Sequence, residues 1–183
     1  KGTDLLLDIM PNLMDMPVQF SMIGSGEARY ERSLKQWSKL FPERFAIRFG
    51  YDEGRAHLVE AGADIFLMPS RFEPCGLNQM YSQRYGTVPL VRRAGGLADT
   101  VVDADPASLA DGTATGIVFD EATPEALLYA IERAVALYQD RAAWKRMQRN
   151  GMSKDFSWET SARQYINLYE LSLQDRPRPP WRS

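Results

Sequence analysis

The feature that most constrains the fold is an alternation of short apolar runs with helical segments over residues 17–120. Five of these runs are predicted to be strands: PVQFSMI, RFAIRFG, ADIFLMPS, TVPLV and GIVFD. Strands that alternate with helices need crossover connections, and right-handed crossovers give a parallel sheet with helices on both faces. The sequence therefore predicts an α/β fold with a doubly wound, Rossmann-like parallel sheet.

Domain boundaries follow from the two ends of the chain. After the last predicted strand the spacing of apolar residues predicts three helices, over 124–138, 141–152 and 158–173. Residues 174–183, QDRPRPPWRS, are rich in proline and arginine and are expected to be a disordered tail. The chain opens directly on an amphipathic helical pattern, KGTDLLLDIMPNLM, without an initiator methionine. It is interpreted as one domain, 1–173, of a longer protein.

Composition excludes several classes of function. The net charge is −2, so no overall basic field favours nucleic acid or membrane surfaces. No apolar run approaches the ~18 residues of a membrane-spanning helix. Cys75 is the only cysteine and His57 the only histidine, and a distant pair of this kind does not make a zinc site.

In a parallel sheet, ligands bind beyond the carboxyl ends of the strands, so the segments that follow each strand are the candidate site. The first, IGSGE, places Gly24 and Gly26 ahead of a helix, where glycines allow a ligand to approach the backbone closely. The alternative is a tight strand-to-helix turn. The G-x-G-x-x-G fingerprint is incomplete because Arg29 stands at its last position, which disfavours a dinucleotide site.

The second strand exit, GYDEGRAH, offers an aromatic ring and a helix cap. Tyr51 can stack on a planar base, although it can equally be a half-buried aromatic residue at a helix entry. Asp52 or Glu53 is expected to cap the helix that follows. His57 lies inside that helix, where a structural role is favoured over a catalytic one.

The third strand exit, SRFEPCGLNQM, is the most informative. A helix is predicted from Gly76 to Gly86, and Cys75, Gly76, Leu77 and Asn78 would present free backbone N–H groups at its start. Such groups, together with the helix dipole, form an anion site suited to a diphosphate. Cys75 is not favoured as a nucleophile because no histidine or aspartate partner lies near it in sequence.

Glu73 has the wrong charge for a phosphate site, so it should face something other than phosphate. Sugar hydroxyls or a developing positive charge on a sugar would suit it, which points to a phosphorylated sugar as ligand. Two structural alternatives remain at this stage: Glu73 pairs with Arg71, or it caps the helix.

The stretch from Ala63 to Asp103, ADIFLMPSRFEPCGLNQMYSQRYGTVPLVRRAGGLADTVVD, closely resembles the ADP-glucose-dependent glycogen and starch synthases. The opening KGTDLLLDIMP and the late segment DFSWETSARQYINLYELSL are similar to other parts of the same family, so the resemblance covers all but about the last ten residues. It implies the second, nucleotide-binding domain of a GT-B glycosyltransferase. The final helix, about 157–173, would pack back toward a first domain that this chain lacks.

The resemblance implies roles position by position. Lys1 matches a lysine that contacts the donor phosphates, Tyr51 an aromatic that packs on adenine, and Glu73 the glutamate that faces the transferred glucose. The helix start from Cys75 to Asn78 matches the segment that holds the distal phosphate; Asn78 often is threonine in the family, so a hydroxyl contact would be lost. Tyr81 stands where other branches of the wider group carry a second glutamate.

The implied reaction is transfer of α-glucose from ADP-glucose to the 4-hydroxyl of an α-1,4-glucan with retention, without a metal or other cofactor. Attack from the face that the phosphate leaves is favoured over a covalent intermediate on Glu73. The glucan would bind mainly through the missing first domain, so the isolated chain is expected to be inactive and to bind ADP weakly. The expected location is the bacterial cytoplasm, or the plastid stroma in a plant.

Three alternatives stay open on the sequence. The donor could be UDP-glucose or another sugar nucleotide, because the sequence defines the base contact poorly. A non-catalytic carbohydrate-binding module would be expected to lose Glu73 or the glycine run, and both are kept. A dinucleotide-dependent oxidoreductase is disfavoured by the incomplete glycine fingerprint.

Overall fold

A computed structural model describes residues 1–174, apart from the side chain of residue 174, and these residues form two compact units. The first unit, Lys1–Ser153, contains all five described strands, and the second begins at Lys154. The strands are β1 (Phe20–Gly24), β2 (Phe45–Phe49), β3 (Ile65–Met68), β4 (Val88–Arg92) and β5 (Ile117–Phe119). Each lies inside one of the five predicted runs or within one residue of it. The expected tail, 174–183, lies outside the described residues except for the backbone of residue 174.

Every strand pairing is parallel, as predicted. β1 pairs with β2, with Met22 opposite Ile47, and β4 lies between β3 and β5, with Leu90 opposite both Leu67 and Ile117. The hydrogen bonds form two ladders, of two and three strands, instead of the single ladder that the sequence suggested. β4 is buried along most of its length, which explains its uninterrupted apolar sequence.

Nine helices are described in the first unit, and their bounds are α1 (Thr3–Asp8), α2 (Met10–Asp15), α3 (Ala28–Leu40), α4 (Glu53–Gly62), α5 (Asn78–Tyr85), α6 (Gly96–Thr100), α7 (Pro106–Asp111), α8 (Pro124–Gln139) and α9 (Arg141–Met152). The predicted opening helix is divided at Ile9 because Pro11 has no N–H to donate back to the preceding turn. None of the described helices is long and apolar enough to cross a membrane.

Two short helices were missed by sequence reasoning. α6 has five residues and α7 has six, too few to show a helical period. α7 begins with Pro106 behind Asp105, whose side chain accepts a hydrogen bond from the Ser108 N–H, so its start signal is local. α6 carries no side-chain cap, and its start is fixed by packing instead.

The core of the first unit joins the chain's opening to its later helices. α1 contacts both α8 and α3, and its Leu5 and Leu6 side chains are as buried as those of the central strands. Buried members of this cluster include Leu5, Leu6, Leu13, Phe45, Leu90, Ile117, Leu127 and Trp144. The start of the chain is therefore held firmly against the rest of the unit, which fixes the position of its first residue.

The described part of the second unit is a helix, α10 (Trp158–Gln174), preceded by a short segment. Asp155 accepts hydrogen bonds from the Ser157 N–H and the Thr160 hydroxyl, and these bonds lower the pKa of Asp155 to about 2. The helix carries many exposed apolar side chains, namely Trp158, Tyr165, Ile166, Leu168, Tyr169, Leu171 and Leu173.

Candidate active site

A cleft of about 1920 Å³ runs between β1 and β3 along the full length of both strands and includes residues at their carboxyl ends. The sequence-predicted residues that line it are Lys1, Gly24, Gly26, Glu73, Gly76, Leu77 and Asn78. Two further predicted residues, Tyr51 and Cys75, do not line it. The cleft thus brings together residues from the chain start and from the first and third strand exits.

The strand exits touch one another in two pairs. The Gly50 N–H donates to the Gly24 carbonyl at 3.0 Å, which joins the second exit to the first. Arg92, at the end of β4, donates from Nε to the Ser70 carbonyl at 2.7 Å, which joins the fourth exit to the third. These two pairs of exits match the two strand ladders.

Glu73 lies in the loop between β3 and α5, residues 69–77, which we call the Glu73 loop. Its carboxylate is buried, with 6% of the residue exposed, and forms a direct ion pair with Lys1 Nζ. The Ser70 hydroxyl donates to the same carboxylate oxygen, Oε2, at 3.2 Å. A buried carboxylate is stable only with such partners, because burial without them penalises the charged form.

Neither structural alternative for Glu73 occurs. Arg71 pairs with Asp4 instead, at 2.6 Å between Nη2 and Oδ2, and this hydrogen bond lowers the pKa of Asp4. Helix α5 has no side-chain cap and begins five residues after Glu73. The Glu73 carboxylate therefore lines the cleft and does not cap α5.

Lys1 reaches Glu73 because Gly2 brings the chain start against the end of β3. Gly2 has φ +78, and a Cβ on it would lie 2.0 Å from the Pro69 carbonyl oxygen. Only glycine permits both this backbone conformation and this approach. The sequence predicted Lys1 as a phosphate contact, and the structure shows it on the carboxylate that would face the sugar.

Two arginines hold the outer part of the Glu73 loop. Arg92 donates from Nε to the Ser70 carbonyl and from Nη2 to the Arg71 carbonyl, at 2.7 and 2.6 Å. Arg71 itself reaches Asp4 and the Ala122 carbonyl. Arg93 instead pairs with Asp120 at 2.5 Å. Sequence reasoning left Arg92 and Arg93 undecided, and the contacts show that Arg92 positions the loop.

The inner part of the loop rests on two glycines at the start of α6. A Cβ on Gly95 would lie 2.0 Å from the Glu73 carbonyl oxygen, and one on Gly96 would lie 2.2 Å from the Cys75 carbonyl oxygen. The Gly96 N–H donates to the Pro74 carbonyl at 3.3 Å. The Gly95–Gly96 pair was visible in the sequence, but its contact partner was not.

The helix behind the loop begins at Asn78, two residues later than predicted. Leu77 is its N-cap, and Gly76 precedes it with φ +73, a conformation that favours glycine. Cys75 and Gly76 therefore belong to the loop and not to the first helical turn. Among the described residues, the N–H groups of Gly76, Leu77 and Asn78 donate to no protein acceptor, so they can bind an anion.

The glycines after β1 are in open surroundings. A Cβ added to Gly24 or Gly26 would meet no atom within 4 Å, so close packing is not why glycine stands there. Gly24 has φ +150, which only glycine adopts easily. The Gly26 N–H donates to Glu31 Oε1 at 2.9 Å, which stabilises the turn into α3. Gly26 thus combines the turn role with a place at the cleft.

Tyr51 is 88% exposed and so is not the half-buried aromatic of the structural alternative. The Asp52 side chain accepts a hydrogen bond from the Arg55 N–H and caps α4, as predicted.

His57 Nδ1 lies 3.2 Å from the Tyr85 hydroxyl, and the His57 ring packs beside Tyr81. These contacts join α4 to α5 and give His57 a structural role.

Cys75 is exposed, and its Sγ lies 3.5 Å from the Gly76 carbonyl oxygen. Since His57 is engaged with Tyr85, the single histidine is not a base for this thiol. The position of Cys75 in the loop agrees with a backbone role.

Glu60 also lines the cleft, from helix α4. It is only 3% exposed, and its Oε1 has no hydrogen-bond partner among the described residues. Desolvation raises the pKa of Glu60 to about 7, and a backbone hydrogen bond from Ser82 partly opposes this shift. Sequence reasoning did not single out Glu60, because burial of a helical glutamate depends on packing.

We expect Glu60 to make stability fall as pH rises. Its folded-state pKa exceeds the ordinary 4.5, so the folded state keeps a proton that the unfolded state releases. The free energy of unfolding should drop between pH 4.5 and about 7, by up to roughly 3 kcal/mol. Urea titrations from pH 5 to 8.5 would measure this. Glu60→Gln should remove the drop, whereas Glu132→Gln, at an exposed site on α8, should keep it. An unchanged pH dependence in Glu60→Gln would contradict the assignment.

The parallel strands and the helices between them define a Rossmann-like α/β domain, whose candidate ligand site lies where the cleft reaches the carboxyl ends of β1 and β3. The sequence profile of the glycosyl transferases group 1 family matches residues 1–151, and the chain belongs to this family. The predicted fold class is confirmed: the structure has the α/β fold of GT-B glycosyltransferases.

Within this family, the chain is similar to glycogen and starch synthases. Glycogen synthase from Nitrosospira multiformis is 60% identical over 97% of this chain, and glycogen synthase 1 from Methylococcus capsulatus is 58% identical over 94%. The catalytic domain of starch synthase IV from Arabidopsis thaliana, solved bound to ADP and acarbose, superposes with a TM-score of 0.83 at 35% identity over 95% of this chain. The chain covers 35–36% of the length of each of these proteins.

Proposed function

We propose that this chain is the nucleotide-sugar-binding part of a glycogen or starch synthase, which transfers α-glucose from ADP-glucose to an α-1,4-glucan with retention. One observation carries the proposal: a buried, ion-paired carboxylate, Glu73, shares a cleft with the free N–H groups of Gly76, Leu77 and Asn78. A carboxylate and an anion site side by side suit a phosphorylated sugar. The identity to glycogen synthases, 58–60%, and the ADP bound in the starch synthase IV structure support ADP-glucose as the donor.

The donor would lie along the edge of the fold with its diphosphate at the start of α5. The N–H groups of the last loop residues and the N-terminal end of the helix would hold the distal phosphate, each contributing modestly. Lys1 would share its charge between Glu73 and the diphosphate, since its side chain is 72% exposed. Tyr51, exposed ahead of α4, would stack on the adenine.

In the reaction, the bond between the anomeric carbon and the phosphate oxygen breaks, and a bond to the acceptor 4-hydroxyl oxygen forms on the same face. The hydroxyl proton passes to the departing phosphate oxygen, so ADP leaves and the α configuration is retained. Glu73 would orient the glucose and stabilise its developing positive charge from within a buried site, where a fixed charge acts most strongly. The neighbouring amides and Lys1 would stabilise the growing negative charge on the diphosphate.

The acceptor would bind mainly outside this chain. Tyr51, Phe72 and Leu77 are exposed around the strand exits, with Phe72 at 79%, although large apolar side chains are usually covered. We assign this surface to contact with the bound donor and with a first domain. The exposed apolar side chains of α10 would pack against that same first domain.

The test is a transfer assay with the full-length protein and with residues 1–183 alone. The full-length protein should elongate a glucan with ADP-glucose and much less well with UDP-glucose. The isolated chain should transfer no glucose and bind ADP weakly. If the full-length protein prefers UDP-glucose, ADP-glucose is not its donor. Robust transfer by residues 1–183 alone would refute the assignment of the acceptor site to another domain.

A further inference from the structure

Gln79 is a fully buried polar side chain directly behind the Glu73 loop. It lies in the first turn of α5 with no exposed surface. Its amide nitrogen, Nε2, lies 3.2 Å from the Cys75 carbonyl oxygen and 3.0 Å from the Gly76 carbonyl oxygen. The same nitrogen lies 3.1 Å from the Thr100 hydroxyl.

These contacts determine the direction of two peptide groups. In a trans peptide the carbonyl and the N–H point in opposite directions, and no described peptide bond is cis. Because the Cys75 and Gly76 carbonyls point inward to Gln79, the N–H groups of Gly76 and Leu77 must point away from it. Both residues line the cleft, so these N–H groups face the site where an anion would lie.

Gly76 and Gln79 are also matched in shape. A Cβ on Gly76 would lie 2.5 Å from Gln79 Oε1, so the glutamine amide occupies the space that a larger residue at position 76 would need. Thr100 completes the arrangement, because its hydroxyl donates to the Gly96 carbonyl at 2.6 Å and so ties Gln79 to the start of α6. The Gln79 amide, which projects from α5, is thereby held by the loop carbonyls on one side and by Thr100 of α6 on the other.

We propose that Gln79 is a positioning residue that orients the Gly76 and Leu77 N–H groups toward the distal phosphate of the donor. This inference rests on the proposed function for the identity of the anion, but the orientation of the two peptide groups does not. Without the inward hydrogen bonds, the flexible glycine peptide would rotate and the N–H groups would leave the ligand. Gln79 itself does not touch the ligand.

The chain offers a matched control in Gln83, one helical turn further along α5. Gln83 is 1% exposed, and its Nε2 donates to the Gln79 and Thr100 carbonyls at 3.1 Å each. It is thus a buried glutamine in the same network, with the same number of side-chain atoms, but it does not touch the Glu73 loop. Replacement of either residue by methionine removes buried hydrogen bonds and nearly preserves volume.

The test measures binding of ADP and of AMP to full-length Gln79→Met and Gln83→Met by calorimetry. AMP lacks the distal phosphate, so the ratio of the two affinities reports the contacts to that phosphate. Gln79→Met should lower the ratio about tenfold, as expected for loss of a charge-assisted hydrogen bond. Gln83→Met should change it less than about twofold while destabilising the fold similarly. An unchanged ratio in Gln79→Met, or an equal fall in both variants, would overturn the proposal.

Two further measurements keep the result decisive. If Gln79→Met does not fold, Thr100→Val removes one anchor of Gln79 and should lower the ratio about two- to threefold; no change overturns the proposal. If the unmodified protein does not bind ADP, the proposed function fails, and hydrogen exchange at the Gly96 amide then tests the positioning alone. That amide should exchange faster in Gln79→Met than in Gln83→Met, and equal rates would overturn the role of Gln79.

Discussion

Replacing Glu73 by glutamine is expected to lower kcat of the full-length protein by about 10³-fold, with a much smaller change in donor affinity. Glutamine has nearly the same shape and can still accept from the Ser70 hydroxyl, but it loses the charge that pairs with Lys1. A charge that acts on the developing sugar cation matters more in the transition state than in the bound donor, so kcat should fall and not only KM. Steady-state assays with ADP-glucose and a glucan measure both constants.

The matched control is Glu60→Gln, a second buried glutamate that lines the same cleft but does not contact Lys1. It should keep kcat within about threefold of the unmodified protein, since it exchanges a buried carboxyl group for an amide of the same size outside the proposed donor site. Urea unfolding of both variants separates activity from stability. If Glu73→Gln keeps more than a tenth of the original kcat, Glu73 does not have the proposed role.

Replacing Gly95 by alanine is expected to disrupt both the loop and the activity. The new Cβ would lie 2.0 Å from the Glu73 carbonyl oxygen, and the backbone at φ +46 and ψ −133 is not one that alanine adopts easily. This steric clash can be relieved only if the Glu73 loop moves away from α6. We expect a loss of roughly 2–4 kcal/mol in the free energy of unfolding. The accompanying displacement of Glu73 should lower kcat/KM by about 10²-fold.

The control for stability is Gly62→Ala, at the end of α4. A Cβ there meets no atom within 4 Å and the backbone has no positive φ, so alanine should be neutral or stabilise by about 0.5–1 kcal/mol. Urea unfolding and transfer assays test the pair. Equal stability of the two variants would show that the Gly95 contact with the loop is not tight in solution.

Much of the fold could be predicted from the sequence because its signals are local. A run of apolar residues such as 65–68 indicates a buried strand, and a proline behind Thr123 marks the start of α8. The division of the strands into two ladders and the helices α6 and α7 could not be predicted. Strand pairing depends on distant residues, and helices of five or six residues have no measurable period.

The sequence predicted a candidate site by position and residue type, but not its contacts. The rule for parallel sheets directed attention to the strand exits, and seven of the nine proposed residues line the cleft. Gln79 and Gly2 escaped notice, and the role of Arg92 stayed undecided, because each acts on a segment far away in sequence or through backbone atoms. A sequence shows which donors and acceptors exist, whereas the partner of each depends on the folded chain.

By itself the sequence determined that this protein is a parallel α/β domain with a glycine-containing helix start and a glutamate ahead of it. Those features depend on residue type and spacing, which act over a few positions. The tertiary structure alone decided that Glu73 is buried and paired with Lys1, 72 residues away along the chain. It also decided that Gly95 and Gly96 support the loop and that Gln79 turns its amides outward. These are contacts between segments, and only burial of the shared core brings the segments together.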